Sequence, residues 1–198
     1  MHRLIAAILV AASSAVIAAQ DVRKQEFPGV RNFSRVETTI ACGGATTPEA
    51  MADLKKAGFV SVVNLRLADE EGANIPESQA AADKAGVRYI HLPFRVASPD
   101  ADLVDRFIAA VNDPKNQPVF IHCGTANRVA ALWLIKRVKV DAWPVEKALA
   151  EAEAIGLTSE PLKKFALDYL EKKDWATAGS RAPGSASSSP RSPCAGSR

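Results

Sequence analysis

Short apolar runs rich in β-branched and aromatic residues alternate with helical stretches between residues 32 and 172, and this order strongly constrains the fold. Such alternation is typical of a parallel sheet whose strands are joined by crossover helices. The third run is apolar at nearly every position, as in a central strand buried on both faces. We therefore predict an α/β fold, a three-layer sandwich with a central, mainly parallel sheet flanked by helices. The predicted strands cover 59–65, 87–92 and 118–122.

Helix boundaries are predicted from capping residues at the ends of the apolar patterns. Thr47 and Ser98 are each followed by proline and are predicted to begin two helices, the first of which ends at Gly58. A further helix, from about residue 78, ends at Gly86. The chain after Arg128 is apolar all round, so the helix predicted there should be buried. Two more helices are predicted over 145–155 and 160–170.

Both ends of the chain differ in composition from its middle. The start has a short basic segment, an apolar run and small residues before Gln20, which is the pattern of a secretory signal peptide. That run is shorter than the roughly 20 residues of a membrane span, which disfavours an uncleaved anchor. The end is rich in Ser, Pro, Gly and Arg and lacks periodic apolar residues, which is typical of disorder. We predict a signal peptide over 1–19, one domain over 20–172, a disordered tail over 173–198, and a periplasmic or secreted location without a stable membrane anchor.

Charge and cysteine content narrow the class of function. The formal net charge is +3, of which +4 belongs to the two terminal segments, so the predicted domain is almost neutral. A near-neutral domain has no electrostatic footprint for nucleic acid. Cys42, Cys123 and Cys194 have no paired metal-ligand spacing. The sequence therefore predicts no disulfide framework, no metal site and no cofactor.

The pattern that points to chemistry is a strand leading into Cys123, a short loop of small and polar residues, and Arg128 at the start of the buried helix. Backbone N–H groups of such a loop, together with the partial positive charge of a helix N-terminus, form an anion site. The same field favours the thiolate form of Cys123, and Arg128 offers a fork that matches two phosphate oxygens. A thiolate beside a phosphoryl group is a nucleophile in position. The predicted phosphate-binding residues are His122, which would orient the loop, and Gly124, Thr125, Ala126 and Asn127.

The segment 119–128 resembles the signature of the cysteine-dependent tyrosine and dual-specificity phosphatases. Segments 41–48, 63–66 and 91–93 fall where that family has comparable segments. The chain is most similar to a bacterial branch with four residues between Cys and Arg, related to the phosphatase-like domain of β-lactamase-hydrolase-like proteins. The resemblance implies a phosphocysteine intermediate on Cys123, catalysis without a metal, and a phosphorylated protein or small molecule as substrate.

The sequence departs from the family pattern in three places. The main phosphatase family has five residues between Cys and Arg, whereas this loop has four. A hydroxyl-bearing residue usually follows the Arg, but Val129 stands here, and Asn127 is a candidate substitute. The general acid of dual-specificity enzymes should follow 91–93 closely. We take Asp100 as the catalytic acid and Asp102 as its alternative, although acids are also common in a first helical turn for structural reasons.

Two further residues have alternative interpretations. Arg66 is predicted to reach the substrate pocket, and an ion pair with one of the acids at 69–71 is the alternative. Cys42 is predicted to pack as a small apolar group, and a regulatory disulfide with Cys123 in an oxidising compartment is the alternative.

Three functions are open from the sequence. The leading hypothesis is an exported phosphomonoester hydrolase, in which Cys123 attacks phosphorus, Arg128 and the loop amides stabilise the oxygens, and water hydrolyses the thiophosphate. The second is a non-catalytic phosphate-binding module, favoured by Val129 and by the lack of an acid directly after 91–93. The third is a rhodanese-like sulfurtransferase, which is disfavoured because the Gly-rich loop pattern usual in that family is absent. No feature of the sequence indicates the oligomeric state.

Overall fold

The computed structural model of the chain describes residues 22–98 and 100–171. The predicted signal peptide and tail lie outside the described residues, and the predicted domain boundaries stay predictions. The strands of the described part are β1 (Arg23–Lys24), β2 (Ser34–Arg35), β3 (Ile40–Gly43), β4 (Ser61–Asn64), β5 (Arg88–His91) and β6 (Val119–His122). The helices are α1 (Ala50–Lys56), α2 (Ile75–Ala85), α3 (Ala101–Asn112), α4 (Asn127–Lys139), α5 (Val145–Ile155) and α6 (Glu160–Glu171), and one 3₁₀ helix covers Pro114–Asn116.

The strands form one sheet in the order β1-β2-β3-β6-β4-β5. The four strands β3, β6, β4 and β5 run parallel to their neighbours, and β1 and β2 extend the β3 edge in antiparallel orientation. The predicted α/β class with a mainly parallel sheet is confirmed. The three N-terminal strands were missed because β1 and β2 have only two residues each and β3 contains small residues instead of a β-branched run.

Two hydrophobic cores cover the two faces of the sheet because successive residues of a strand point to opposite faces. In β6, Phe120 packs into the core shared with α1 and α2. Its neighbour Ile121 packs into the core formed with α3, α4, α5 and α6. α4 is buried from Val129 to Arg137, as its all-round apolar pattern predicts. The sheet therefore holds the start of α4 at the carboxyl end of a central strand, where α/β folds place their ligand sites.

Three predicted helix starts differ from the structure: those of α1 and α3 by two residues, and that of α2, which begins at Ile75 rather than at about 78, by three. α1 begins at Ala50 rather than at Pro48, because the chain before it forms tighter three-residue turns. α3 begins after Asp100 rather than after Ser98, because the Asp100 carboxylate accepts the Asp102 N–H at 3.0 Å and caps the helix. The prediction for α5 agrees with the structure at both ends, and that for α6 differs by one residue. Within 22–98 and 100–171, no helix has the length and apolar character needed to cross a membrane.

Candidate active site

The loop between β6 and α4 holds the predicted nucleophile. Cys123 directly follows β6 and has no accessible surface. The backbone N–H groups of Gly124, Thr125 and Ala126 have no hydrogen-bond acceptor among the described residues. Ala126 has a φ of 73°, in the left-handed region that non-glycine residues seldom adopt, and this turn allows four residues to join the strand to the helix. Unpaired amides at the start of a buried helix form a site for an anion.

A cavity of about 350 Å³ lies beside this loop. Its polar side chains come from the loop, the start of α4, the segment after β4 and the start of α6. Its apolar side chains come from the segments after β4 and β5 and from α6. The lining residues are Leu67, Glu70, Phe94, Val96, Thr125, Asn127, Arg128, Ser159 and Leu162.

Arg128 is held from one end of its guanidinium group. Nη2 donates to Glu70 Oε2 at 2.7 Å and Nη1 donates to Glu70 Oε1. Nη1 also donates to the Leu65 and Phe94 carbonyl oxygens at 3.2 and 3.3 Å. Burial lowers the Arg128 pKa, but the bonds to Glu70 and the charge of Cys123 outweigh it and raise the pKa. The structure thus places Arg128 at the start of α4, five positions after Cys123, and its Nε lies outside the Glu70 pair.

Glu70 is a charged cavity residue that the sequence did not assign to the site. Its Oε1 also accepts the Leu67 N–H at 2.8 Å, and its Oε2 accepts from Arg66 Nε at 3.3 Å. Partial burial raises the Glu70 pKa, but the hydrogen bonds from Arg128 and Leu67 outweigh this effect and lower the pKa to about 2. Glu70 is therefore ionised at neutral pH. The sequence offered only its position four residues after Arg66 as a signal.

Arg66 supports Glu70 from behind and does not line the cavity. It is nearly fully buried, and it donates to the backbone carbonyl oxygens of Glu71 and Gly72 as well as to Glu70. The structure therefore realises the alternative interpretation, an ion pair within its own loop. These contacts order residues 66–72 around the Glu70 carboxylate.

The His122 ring lies beneath the loop. It stacks on Phe120 with ring centroids 5.7 Å apart, and neither ring nitrogen has a hydrogen bond of ordinary geometry. Burial, with the positive charge of Arg66 as the second cause, lowers the His122 pKa to about 3. The ring is therefore neutral at physiological pH, which fits the predicted orienting role better than proton transfer.

Asn127 joins the loop to the turn between α5 and α6. Its Oδ1 accepts the backbone N–H groups of Thr158 and Ser159 at 2.7 and 2.8 Å. Its Nδ2 donates to Thr125 Oγ1 at 3.2 Å and to Thr158 Oγ1 at 3.4 Å. Its amide is therefore engaged within the protein, whereas the sequence placed it among the groups that contact phosphate.

Asp100, the predicted general acid, lies at the start of α3 and is not among the cavity-lining residues. Its exposed carboxylate accepts the Asp102 N–H and lies 3.6 Å from Arg106 Nη2. The residue after Arg128, Val129, is fully buried and brings no hydroxyl to the site. A catalytic role of Asp100 remains a prediction.

Cys42 and Cys123 both have free thiols. Cys42 pairs with Ile121 across β3 and β6 and shares a core with Cys123. Burial raises the pKa of the Cys42 thiol far above its ordinary value, so it packs as a neutral apolar group. Among residues 22–98 and 100–171, no group of three or more His, Cys, Asp or Glu is arranged to hold a metal ion.

The loop after β3 lies against the phosphate loop. The Ala45 N–H donates to the Gly124 carbonyl oxygen at 2.9 Å. A Cβ at Gly44 would lie 3.2 Å from that oxygen and 3.1 Å from the Arg31 carbonyl oxygen. The close approach of the two backbones favours glycine at 44, because a side chain would force a neighbouring backbone to shift by a few tenths of an ångström.

The family model described as "DSP-PTPase phosphatase fused to NAD+ kinase" matches residues 15–161. The fold and the Cys-loop-Arg site therefore identify the class as a phosphatase of the tyrosine and dual-specificity type. The chain belongs to the DSP-PTPase family that this model describes, and the predicted resemblance is confirmed. No curated protein matches the chain.

Several solved structures share the fold. TpbA of P. aeruginosa, in complex with phosphotyrosine, is 20% identical with a TM-score of 0.62, covering 81% of this chain and 94% of that one. The core catalytic domain of the PP-IP phosphatase SIW14 from S. cerevisiae is 18% identical with a TM-score of 0.59, covering 76% and 97%. A DUF442 protein from Shewanella putrefaciens is 21% identical with a TM-score of 0.61, covering 73% and 92%.

Proposed function

We propose that this protein hydrolyses phosphomonoesters through a phosphocysteine intermediate on Cys123. The observation that carries the proposal is the loop between β6 and α4, which has Cys123 before it, Arg128 after it and backbone amides without an acceptor among the described residues. Family membership supports the same reaction. The sulfurtransferase alternative has no comparable support.

The proposed reaction begins when the phosphate dianion occupies the loop amides and the Nε edge of Arg128. The Cys123 thiolate attacks phosphorus, an S–P bond forms, and the bond to the leaving oxygen breaks with its electron pair on that oxygen. Arg128 and the amides stabilise the charge on the equatorial oxygens. Water then attacks phosphorus and releases phosphate and the thiolate.

We assign the proton delivered to the leaving oxygen to Asp100. To reach that oxygen, the carboxylate must leave its ion pair with Arg106, in which the two atoms lie 3.6 Å apart. The pair is half exposed, and exposed pairs of this kind contribute about 1 kcal/mol or less, so its loss is a small barrier.

The cavity favours one phosphate on an apolar or aromatic group. Leu67, Phe94, Val96 and Leu162 form its apolar walls, and Arg128 is its only lining cation in the described part of the chain. Glu70 compensates that charge, so a highly phosphorylated ligand would meet little positive potential. The phosphotyrosine bound to TpbA supports a phosphorylated tyrosine side chain as the substrate of this protein.

We also propose that the protein acts outside the cytoplasm. The pattern over residues 1–19 supports export by a cleaved signal peptide. Fractionation of cells that produce the full chain, with N-terminal sequencing of the mature protein, tests this location. Recovery of the uncleaved chain in the cytoplasm contradicts it.

A second candidate function is phosphate binding without turnover. The complete burial of Cys123, the absence of a hydroxyl at Val129 and the engagement of Asp100 with Arg106 favour this alternative. It keeps the same anion site and removes only the chemical steps.

The test compares the wild-type protein with Cys123→Ser, using p-nitrophenyl phosphate turnover and calorimetry with inorganic phosphate. We expect the variant to lose turnover by at least about 10³-fold while phosphate binding stays within a few-fold, since the amides and Arg128 remain. Unchanged turnover in Cys123→Ser contradicts the nucleophile assignment. Phosphate binding by a wild-type protein that does not turn over selects the second candidate. Asp100→Asn should flatten the alkaline limb of the pH profile, and an identical profile would remove Asp100 as the acid.

A further inference from the structure

The side chain of Asn127 links the phosphate loop to the turn between α5 and α6. Asn127 is the first residue of α4 and lies directly after the phosphate loop. Its amide binds Thr125 on the loop side, and Thr158 and Ser159 on the other side. Ser159 in turn lines the cavity just before α6 begins.

The turn between α5 and α6 also packs directly on the loop. Gly156 has a φ of 141°, and a Cβ built there would lie 3.5 Å from the Ala126 Cβ and 3.8 Å from the Thr125 carbonyl oxygen. The turn therefore runs close to the loop, with room between them for little more than a methyl group. Asn127 supplies the hydrogen bonds for this contact, because two backbone N–H groups of the turn converge on its Oδ1.

Ala126 has a backbone conformation that the contact between the loop and the turn must stabilise. Its φ of 73° brings the Cβ close to the backbone, so the left-handed conformation is unfavourable for alanine and far less so for glycine. Such a conformation persists only where the surrounding structure fixes it. The contacts of Asn127 lie one residue further along the chain, and Gly156 lies close to the Ala126 side chain.

We propose that Asn127 is a positioning residue of the phosphatase site, which keeps Ala126 left-handed and thereby holds the loop amides in the arrangement that binds phosphate. The inference rests on the proposed function, because it assigns a role within the same anion site. It changes the predicted role of Asn127 from a ligand of phosphate to a clamp on the loop that binds it.

The experiment measures inorganic phosphate binding by calorimetry and kcat/KM with p-nitrophenyl phosphate. Asn127→Ala should weaken phosphate binding by about 10-fold and lower kcat/KM by at least as much, because the amides lose their fixed orientation. Ala126→Gly combined with Asn127→Ala should recover at least half of the loss on a logarithmic scale, because glycine adopts the left-handed conformation without the clamp. A role of Asn127 in general stability alone would not give this specific rescue.

Thr158→Ala is the matched control. It removes the hydroxyl at 3.4 Å but keeps the backbone N–H that binds Oδ1, so phosphate binding should stay within about 2-fold. If Asn127→Ala does not fold, Asn127→Gln replaces it, since the longer side chain displaces the amide from the turn. Wild-type phosphate binding in the Asn127 variant, or no recovery from Ala126→Gly, overturns the inference. A wild-type protein that neither binds nor hydrolyses phosphate overturns the proposed function itself.

Discussion

The helix α4 carries an arginine near each end, and the two have different surroundings. Arg137, near the C-terminal end, donates to Glu151 at 2.6 and 2.9 Å, to Asp141 at 2.9 Å and to Glu37. Trp133 and Trp143 cover it, with ring centroids 4.7 and 4.1 Å from its Cζ. Arg128, near the N-terminal end, has one carboxylate partner and faces a cavity.

The difference separates a structural arginine from one available to a ligand. Carboxylates occupy the Nε and both Nη atoms of Arg137, and its side chain is 4% exposed. Glu70 occupies only the Nη end of Arg128, and the Arg128 Nε has no hydrogen-bond partner among the described residues. We call the C-terminal end of α4 closed, because the protein itself uses all three nitrogen atoms of Arg137. We call the N-terminal end open, because the protein uses only the two Nη atoms of Arg128.

The largest expected effect lies at the closed end. Arg137→Met should lower the free energy of unfolding by about 3–5 kcal/mol, because it leaves Glu151 buried without its partner. Urea denaturation at neutral pH measures the change. The double variant Arg137→Met, Glu151→Gln should recover more than half, since Gln keeps an acceptor for Trp133 Nε1 and removes the unpaired charge. A single variant within about 1 kcal/mol of wild type would contradict the structural role.

A comparable change at the open end should affect activity instead. Arg128→Lys should lower kcat/KM for p-nitrophenyl phosphate by about 10²–10³-fold, because an ammonium group lacks the planar fork. Its free energy of unfolding should change by about 1 kcal/mol or less, since lysine keeps a cation beside Glu70. Steady-state kinetics and urea denaturation of the same preparation test both statements. A variant that loses stability as severely as Arg137→Met would remove the contrast between the two ends.

The smallest effect concerns the pH dependence at the open end. The Glu70 pKa is lowered from 4.5 to about 2, so the folded state binds fewer protons there than the unfolded state between those values. Its contribution to stability is complete above about pH 5 and is lost as the pH falls through 4.5 toward 2. Wild type should therefore have a higher free energy of unfolding than Glu70→Gln at pH 6. This gap in the free energy of unfolding should close by pH 2 to 3. A gap independent of pH would show that Glu70 does not act through its charge.

The sequence predicted the elements that depend on local patterns. The apolar run 118–122 and the all-round apolar segment after Arg128 have strong signals of their own, and Cys123 and Arg128 lie at their junction. These local signals explain why the parallel sheet and the junction that carries Cys123 and Arg128 could be predicted together.

The missed features depend on contacts between distant residues. Glu70 and Arg128 are separated by 58 positions, and Glu37 and Arg137 by 100. Neither pair leaves a periodic pattern, so only the folded chain shows them as partners. The bond from Trp133 to Glu151 likewise depends on the packing of α5 against α4. Asp100 was assigned to catalysis, whereas its contacts make it a helix cap in this conformation.

Gly44 has a consequence for engineering the N-terminal part of the protein. Its backbone fits between the Arg31 and Gly124 carbonyl oxygens, and its N–H donates to Arg31 at 2.7 Å. The segment before α1 thus lies against the phosphate loop, although it contributes none of the groups assigned to chemistry. A truncation that begins at α1, or a substitution at 44 intended for rigidity, would loosen the nucleophile's loop from outside the cavity.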